Sequence, residues 1–190
     1  MDANKEETVT LVPADEPGGL FEGFTPLARD LAFEEALAHR DPAAMLAKRA
    51  AEMEVELALG SPEEADALAE DIRERPEHQR AKIATLIHVW LYLAKALYHA
   101  HRTEEAIPVS RKALKLSEAL GDHAIVYLSL KCLAGMQAHT ERDADAMATI
   151  RTAHAYLAAH LGTTHPLTLK ARSDVDLVAE RLRYPNAHTN

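Results

Sequence analysis

Apolar residues recur with the spacing of an α-helix through much of the chain. One stripe has the spacing i, i+4, i+7, i+8 and i+11 and consists of Leu86, Trp90, Leu93, Ala94 and Leu97. This spacing places its members on one face of a helix. No segment alternates apolar and polar residues in the way that predicts a β-strand. We therefore predict an all-α fold of about eight helices.

Prolines, glycines and capping residues mark where these helices begin and end. A capping side chain stands before a proline, which favours a helix start, at Thr25-Pro26, Asp41-Pro42 and Ser61-Pro62. Stop signals are found at Gly60, Pro76, Gly121, Gly162 and Pro185. Pro108 falls near the fifth position of a helix that Thr103 is expected to cap. We expect that helix to start a turn later or to have a distorted first turn.

Small and large apolar residues repeat together about forty residues apart. The matched pairs are Trp90 with Leu130, Leu93 with Leu133, Ala94 with Ala134, Ala106 with Ala146, and Ala113 with Ala153. Two antiparallel helices can approach to about 8 Å only where the residues between them are small. Alanine flanked by leucine or tryptophan is therefore a packing pattern. One helix pair cannot bury such a face alone, so we expect several pairs to stack.

These positions resemble the tetratricopeptide repeat family. Counting from Ile87 or from Tyr127 places the matched residues at family positions 4, 7, 8, 20 and 27. The stretch "LGTTHPLTLKAR" at 161–172 is similar to the inter-repeat signature of the longer, kinesin-light-chain-like subclass. The forty-residue period also fits that subclass. The resemblance implies an α-solenoid of antiparallel helix pairs.

The sequence departs from the family pattern at three positions. Ser110 and Ile150 replace the aromatic residue at position 24. In a third unit counted from Leu169, Asp176 stands at position 8, where the family has a small residue. We therefore expect the last helix to be a terminal helix with a polar outer face.

Composition and the helix start and stop residues divide the chain into an arm and one domain. Residues 1–24 lack any helical period and carry six acidic residues against one basic residue, so we expect a flexible acidic N-terminal arm. Residues 25–185 are expected to form a single helical-repeat domain. Its parts are degenerate N-terminal helices at 25–76, two clearer repeats at 87–160 and a terminal capping helix at 161–185, which Pro166 opens.

Charge is distributed unevenly along the chain. Residues 1–80 carry 20 acidic against 8 basic residues, whereas residues 81–190 carry 10 against 13. An acidic half would repel phosphate, which argues against nucleic-acid binding. The N-terminus is polar and acidic rather than basic and then apolar, and no apolar run approaches the length that spans a bilayer. We expect a soluble, cytoplasmic protein that binds neither nucleic acid nor membrane.

The sequence contains no recognisable catalytic or metal-binding motif. Cys132 and His139 lie seven residues apart on one helix face, about 10.5 Å along the axis, which is too far for a nucleophile and its base. Cys132 is better explained as a small buried hydrophobic residue. Neither His99 with His101 nor His154 with His160 converges on a ligand. Histidines from different helices remain an open alternative, but we expect scattered surface histidines, no metal and no cofactor.

One polar stripe suggests a binding surface. His88, Tyr92, Lys95 and His99 follow the spacing i, i+4, i+7 and i+11 beside the Trp90 stripe. The family resemblance implies that the first helix of each pair lines a concave groove that binds peptides. Carried over, the groove residues are His88, Leu91, Lys95, Tyr98, His99, Leu128, Lys131, His139 and Lys170. They do not reproduce the family's carboxylate-clamp pattern, and an ordinary solvated face is the alternative interpretation.

These observations favour a non-catalytic protein–protein interaction scaffold over an enzyme. Its expected partner is a protein or peptide with an acidic or C-terminal carboxylate segment, since lysines and histidines recur in the groove. Trp90 is expected to lie beneath this groove. The alternatives are a peptide-sensing regulatory protein that acts on an effector, and an enzyme with an unrecognised site. The arm is a candidate intramolecular occupant, because "ADEPGGLFEGF" at 14–24 combines carboxylates with apolar anchors.

Overall fold

The computed structural model describes residues 41–57, 65–140 and 142–183 of the chain. These ranges contain seven helices and no strand. The helices are α1 (Pro42–Leu57), α2 (Ala65–Glu74), α3 (Glu77–His99), α4 (Thr103–Leu120), α5 (His123–His139), α6 (Asp143–Leu161) and α7 (Pro166–Arg183). The all-α prediction is confirmed for this part of the chain. The N-terminal arm and the signals at Thr25-Pro26, Gly60, Ser61-Pro62 and Pro185 lie outside the described residues.

Several helix ends follow the capping chemistry of the sequence. The Asp41 carboxylate accepts a hydrogen bond from the Ala44 N–H at 3.0 Å, as an N-cap should. Gly121 ends α4 in the left-handed conformation with φ of 75°, a region that glycine enters without steric cost. Asp122 then caps α5 by accepting from two backbone N–H groups. These short turns let each helix reverse direction onto its predecessor.

The start of α4 differs from the prediction. Arg102, not Thr103, is the residue before the first helical turn, and its side chain makes no capping hydrogen bond. The helix does not begin a turn later, because it runs from Thr103 through Pro108 without interruption. Pro108 has no N–H, so the carbonyl of Glu104 lacks its usual helical donor.

The helices pack on their neighbours in sequence and also on helices two positions away. From α3 to α7, each helix packs against the next. In addition, α1 packs on α3, α3 on α5, and α5 on α7. These four odd-numbered helices therefore form one contiguous layer. Helix α2 packs on α4, and neither helix belongs to this layer.

The forty-residue pattern corresponds to the buried positions between helices. All six alanines of the pattern are fully buried: Ala94, Ala106, Ala113, Ala134, Ala146 and Ala153. Trp90, Leu93, Leu130 and Leu133 are buried beside them. Small contact residues thus lie at matching positions of both helix pairs, which allows close approach of the axes.

Ser110 and Ile150, which replace the expected aromatic residues, are also fully buried. The Ser110 hydroxyl donates to Met136 Sδ at 3.2 Å and lies 3.9 Å from Cys132 Sγ. A larger side chain at Ser110 would displace these sulfur atoms of α5. The sulfur atoms of Cys132 and Met136 thus occupy the space beside the small Ser110 side chain, where the family pattern has an aromatic residue.

Helix α7 buries one face and exposes the other. Its buried residues are Thr168, Ala171, Asp174 and Val178, and it packs on α6 and α5. Asp176 is exposed. This arrangement agrees with the expectation of a polar outer face.

We expect Ala94→Leu and Ala134→Leu each to lower the free energy of unfolding by about 1–3 kcal/mol, because the added atoms force packed helices apart. Urea denaturation of each variant measures this loss. Lys115→Leu is the matched control, since Lys115 is exposed on α4. Lys112 is unsuitable as a control because its ammonium lies 2.6 Å from Glu54 Oε1. Equal effects at Ala94 and Lys115 would contradict the repeat register.

Candidate binding face

The nine predicted groove residues lie on α3, α5 and α7, in the layer of odd-numbered helices. We call them the first-helix face. His88, Leu91, Lys95 and Lys131 are buried, Tyr98, His99 and Leu128 are half-buried, and His139 and Lys170 are exposed. Only part of this face is therefore open to solvent.

Aromatic and imidazole rings meet at one rim of the face. Tyr98 and His99 end α3, and His139 is the last residue of α5. The Tyr98 ring centroid lies 4.9 Å from that of His139 and 5.3 Å from that of His99. We call these three residues the Tyr98 cluster. The rings of the Tyr98 cluster give this rim flat surfaces that another aromatic or apolar group can contact.

Lys131 belongs to a buried polar network rather than to an open groove. Its ammonium lies 3.3 Å from Asp174 Oδ1, and the Tyr127 hydroxyl donates to the other oxygen of the same carboxylate. All three residues are buried. Burial raises the pKa of Tyr127, and the hydrogen bond and charge of Asp174 raise it further. The network joins α5 to α7, so Lys131 helps to hold α7 on α5.

Sequence analysis did not identify Asp174 as the partner of Lys131. A signal was present, because Asp174 follows Thr168 and Ala171 at intervals of three on the buried face of α7. A carboxylate on an apolar face requires a partner. The separation of 43 residues between Lys131 and Asp174 is close to the forty-residue spacing of the matched pairs, which indicates that the partner lies two helices away.

Lys95 lies on α3 beside α5. It is only 4 % exposed, and its charge acts on the thiol of Cys132. Burial raises the pKa of Cys132 to about 12, against the weaker lowering effects of Ser110 and Lys95. The thiol is therefore protonated at neutral pH. The prediction that Cys132 is a small buried residue is confirmed.

His88 is buried and contributes no charge at neutral pH. It is 8 % exposed, and neither ring nitrogen has a hydrogen-bond partner among the described residues. Burial lowers its pKa, while the negative charge of Asp122 raises it less strongly. His88 is therefore a weaker source of positive charge on the face than a solvent-exposed histidine.

We expect the protein to lose stability as the pH falls below the ordinary histidine pKa of 6.5. Because the folded-state pKa of His88 is lowered, the unfolded chain binds a proton that the folded chain excludes, and this favours unfolding. Melting temperatures measured at about pH 7.5 and about pH 5.5, on either side of the ordinary histidine pKa, give the size of this loss. His88→Leu should reduce this difference. His78→Leu, at an exposed site on the same helix, should not, and equal effects of the two substitutions would contradict the assignment.

Trp90 does not lie beneath the face. Its indole N–H donates to Glu54 Oε1 of α1 at 3.1 Å, and Lys112 Nζ of α4 lies 4.4 Å from its ring centroid. Residues two apart on a helix are separated by about 160° around its axis, so Trp90 and His88 point to nearly opposite sides. Tryptophan fluorescence would report the packing of α1 and α4 rather than events at the face.

A second ring cluster, which sequence analysis missed, lies between α5 and α6. His123 Nδ1 is 2.8 Å from the Tyr156 hydroxyl, and the His123 and His160 ring centroids are 5.0 Å apart. The sequence comparison of His154 with His160 considered only one helix, whereas these rings converge across two. Among the described residues, no group of three or more His, Cys, Asp or Glu side chains is placed to hold a metal ion.

None of the described helices combines the length and apolar character needed to cross a membrane. Comparison with known proteins found no matching family model, curated protein or solved structure.

Proposed function

We propose that the chain is a tetratricopeptide-like α-solenoid that acts as a non-catalytic interaction module. Two observations support this architecture: the buried alanines recur forty residues apart, and α1, α3, α5 and α7 pack side by side. Stacked first helices produce an extended surface of the kind that repeat proteins use for binding. The function follows from the contacts on this surface.

The observation that carries the proposal is the Tyr98 cluster. It draws residues from two successive repeats to one rim, at distances that a single ligand group can contact together. Tyrosine offers a flat apolar ring and a hydroxyl, and such residues dominate binding energy at interfaces. The exposed Lys170 adds a positive charge on α7. The favoured partner is an acidic peptide segment or a C-terminal carboxylate.

Close contacts must supply most of the preference for an acidic partner. Charges that are separated by more than about 8–10 Å across solvent are screened at physiological salt. Lys131 already binds Asp174, so it contributes less to ligand binding than the sequence suggested. We therefore expect the Tyr98 cluster to contribute more to affinity than Lys131.

Fluorescence anisotropy with labelled acidic peptides, prepared with free and with amidated C-termini, tests this proposal. We expect Tyr98→Ala to weaken binding about tenfold, equivalent to about 1.4 kcal/mol, and His139→Ala to weaken it by a smaller factor. His160→Ala is the matched control, because His160 is also an exposed histidine that stacks near a tyrosine in the last turn of its helix. Equal loss of binding in His139→Ala and His160→Ala would contradict the proposed site.

A further inference from the structure

The ring cluster between α5 and α6 forms a second surface with its own chemistry. His123 is the first residue of α5, and Tyr156 and His160 lie in the last two turns of α6. The Tyr156 ring centroid is 4.3 Å from that of His160 and 5.6 Å from that of His123. His123 and Tyr156 are half-buried, and His160 is exposed. We call these three residues the His123 cluster, whose rings contact one another and remain partly open to solvent.

Hydrogen bonds fix the orientation of these rings. The His123 Nδ1 and Tyr156 hydroxyl oxygen atoms are 2.8 Å apart, and His160 Nδ1 is 2.8 Å from the carbonyl oxygen of Tyr156. A carbonyl oxygen only accepts, so His160 Nδ1 carries the proton of that hydrogen bond. Ring faces that are already ordered lose little conformational entropy when a ligand stacks on them. The His123 cluster is therefore a preformed stacking surface.

Two carboxylates flank the His123 cluster. Asp122 directly precedes His123, and Glu118 lies in the last turn of α4. Leu114, one turn before Glu118 on the same face of α4, packs against the same part of the core as Tyr156. Burial raises the pKa of Tyr156, and the negative charges of Glu118 and Asp122 raise it further. Both carboxylates are exposed, so the surface is aromatic and acidic.

These carboxylates have the capacity to bind a cation. Asp122 accepts both of its capping hydrogen bonds through Oδ1, so the cap does not need Oδ2. Burial raises the pKa of Glu118, and the positive charge of Lys115 lowers it less strongly. A further positive charge beside Glu118 would stabilise its ionised form. The last carbonyl groups of α6 carry the negative end of that helix dipole, which also favours a cation.

We propose that the His123 cluster, together with Glu118 and Asp122, binds an arginine side chain of a basic partner segment. A guanidinium is flat and always charged, so it stacks on aromatic rings and donates hydrogen bonds to carboxylates at the same time. A lysine ammonium is compact and strongly hydrated, so it gains less from ring faces. An acidic segment is repelled by the two carboxylates. Charge and ring geometry thus select arginine.

This site is separate from the first-helix face. His123 begins α5 and His139 ends it, so the His123 cluster and the Tyr98 cluster lie about 24 Å apart along the helix axis. The inference goes beyond the proposed function and does not depend on it, since one site takes a basic segment and the other an acidic one. Failure of either site leaves the other standing.

Fluorescence anisotropy of the full chain with a labelled arginine-rich peptide, and with its lysine counterpart of equal length, tests the proposal. We expect the arginine peptide to bind more tightly. Tyr156→Leu should weaken its binding about two- to fivefold, the range of one exposed cation–π contact, whereas Tyr156→Phe should retain binding because it keeps the ring. Glu118→Gln should weaken binding by a similar factor. Glu104→Gln, at another exposed position on α4, should leave it unchanged.

Non-specific attraction is the competing explanation, because the net charge of −9 attracts any basic peptide. Equal affinity of the wild-type chain for the two peptides therefore overturns the proposal, as does the absence of binding. Equal effects of Glu118→Gln and Glu104→Gln overturn it as well. His160→Ala should weaken binding of the arginine peptide, whereas His139→Ala should weaken only binding of the acidic peptide. Equal effects of these two histidine variants on the arginine peptide count against the site.

A measurement on the wild-type chain covers the case in which Tyr156→Leu lowers the melting temperature too far. Arginine amide is titrated into the full chain while the aromatic proton signals are followed by nuclear magnetic resonance. The ring signals of Tyr156 and His160 should shift, and those of Tyr98 should stay in place. Shifts confined to Tyr98, or no shift at any ring, overturn the proposal.

Discussion

Trp90→Ala is expected to lower the free energy of unfolding by about 3–5 kcal/mol, the usual range for removing a large buried aromatic side chain. Trp90 is buried between α1, α3 and α4, where its indole N–H binds Glu54 and its ring lies under Lys112. Alanine would leave a cavity at this junction and remove both contacts. Urea denaturation monitored by far-ultraviolet circular dichroism measures the loss.

Two control variants separate the loss of volume from the loss of polar contacts. Trp90→Phe keeps most of the apolar volume but removes the N–H donor, so we expect a clearly smaller loss. Lys115→Ala, at an exposed site on α4, should change stability by less than about 0.5 kcal/mol. A loss for Trp90→Ala as small as that for Lys115→Ala would show that α1 and α4 do not enclose the indole.

Asp174→Asn is expected to destabilise the protein by about 3–5 kcal/mol, because it removes the negative charge that lies 3.3 Å from the buried ammonium of Lys131. The side chain keeps its shape, so the loss reports charge rather than volume. Asp176→Asn is the matched control, since Asp176 is exposed on the same helix. Chemical denaturation of the two variants gives the comparison.

A double variant, Asp174→Asn with Lys131→Met, should recover much of this stability, because no unpaired charge then remains in the interface. Recovery in the double variant identifies Lys131 as the group that makes the single substitution costly. If Asp174→Asn and Asp176→Asn have equal effects, the polar network does not hold α7 on α5.

The packing of neighbouring helices was predictable from the sequence, because close helix contacts require small residues at particular positions of each helix. Ala94 and Ala134 must both be small where helices touch, and both are fully buried. Asp41 and Gly121 were likewise predictable, since capping depends on one residue and its immediate backbone. The start of α4 was misplaced by one residue, because Thr103 is a favourable cap but Arg102 occupies that position.

The binding face was less predictable, because burial depends on which helices lie opposite each other. Tyr98 and His139 were both predicted as groove residues, and their rings contact each other. The predicted positions gave no indication that Asp174 pairs with Lys131, since that carboxylate belongs to α7, two helices further along the chain. The direction of Trp90 was also misjudged, because the stripes of Trp90 and His88 are interleaved in sequence yet lie on opposite sides of α3.

The most direct test of the central claim is a nuclear magnetic resonance titration of the full-length chain with an acidic peptide that ends in a free carboxylate. The binding account predicts that amide signals of Tyr98, His99 and His139 shift first, followed by those of Leu91 and Lys95 on the same face of α3. Signals around the control cluster of His123, Tyr156 and His160 should stay in place. Shifts confined to that cluster, or to the exposed surfaces of α4 and α6, would contradict the claim that the first helices form the binding face.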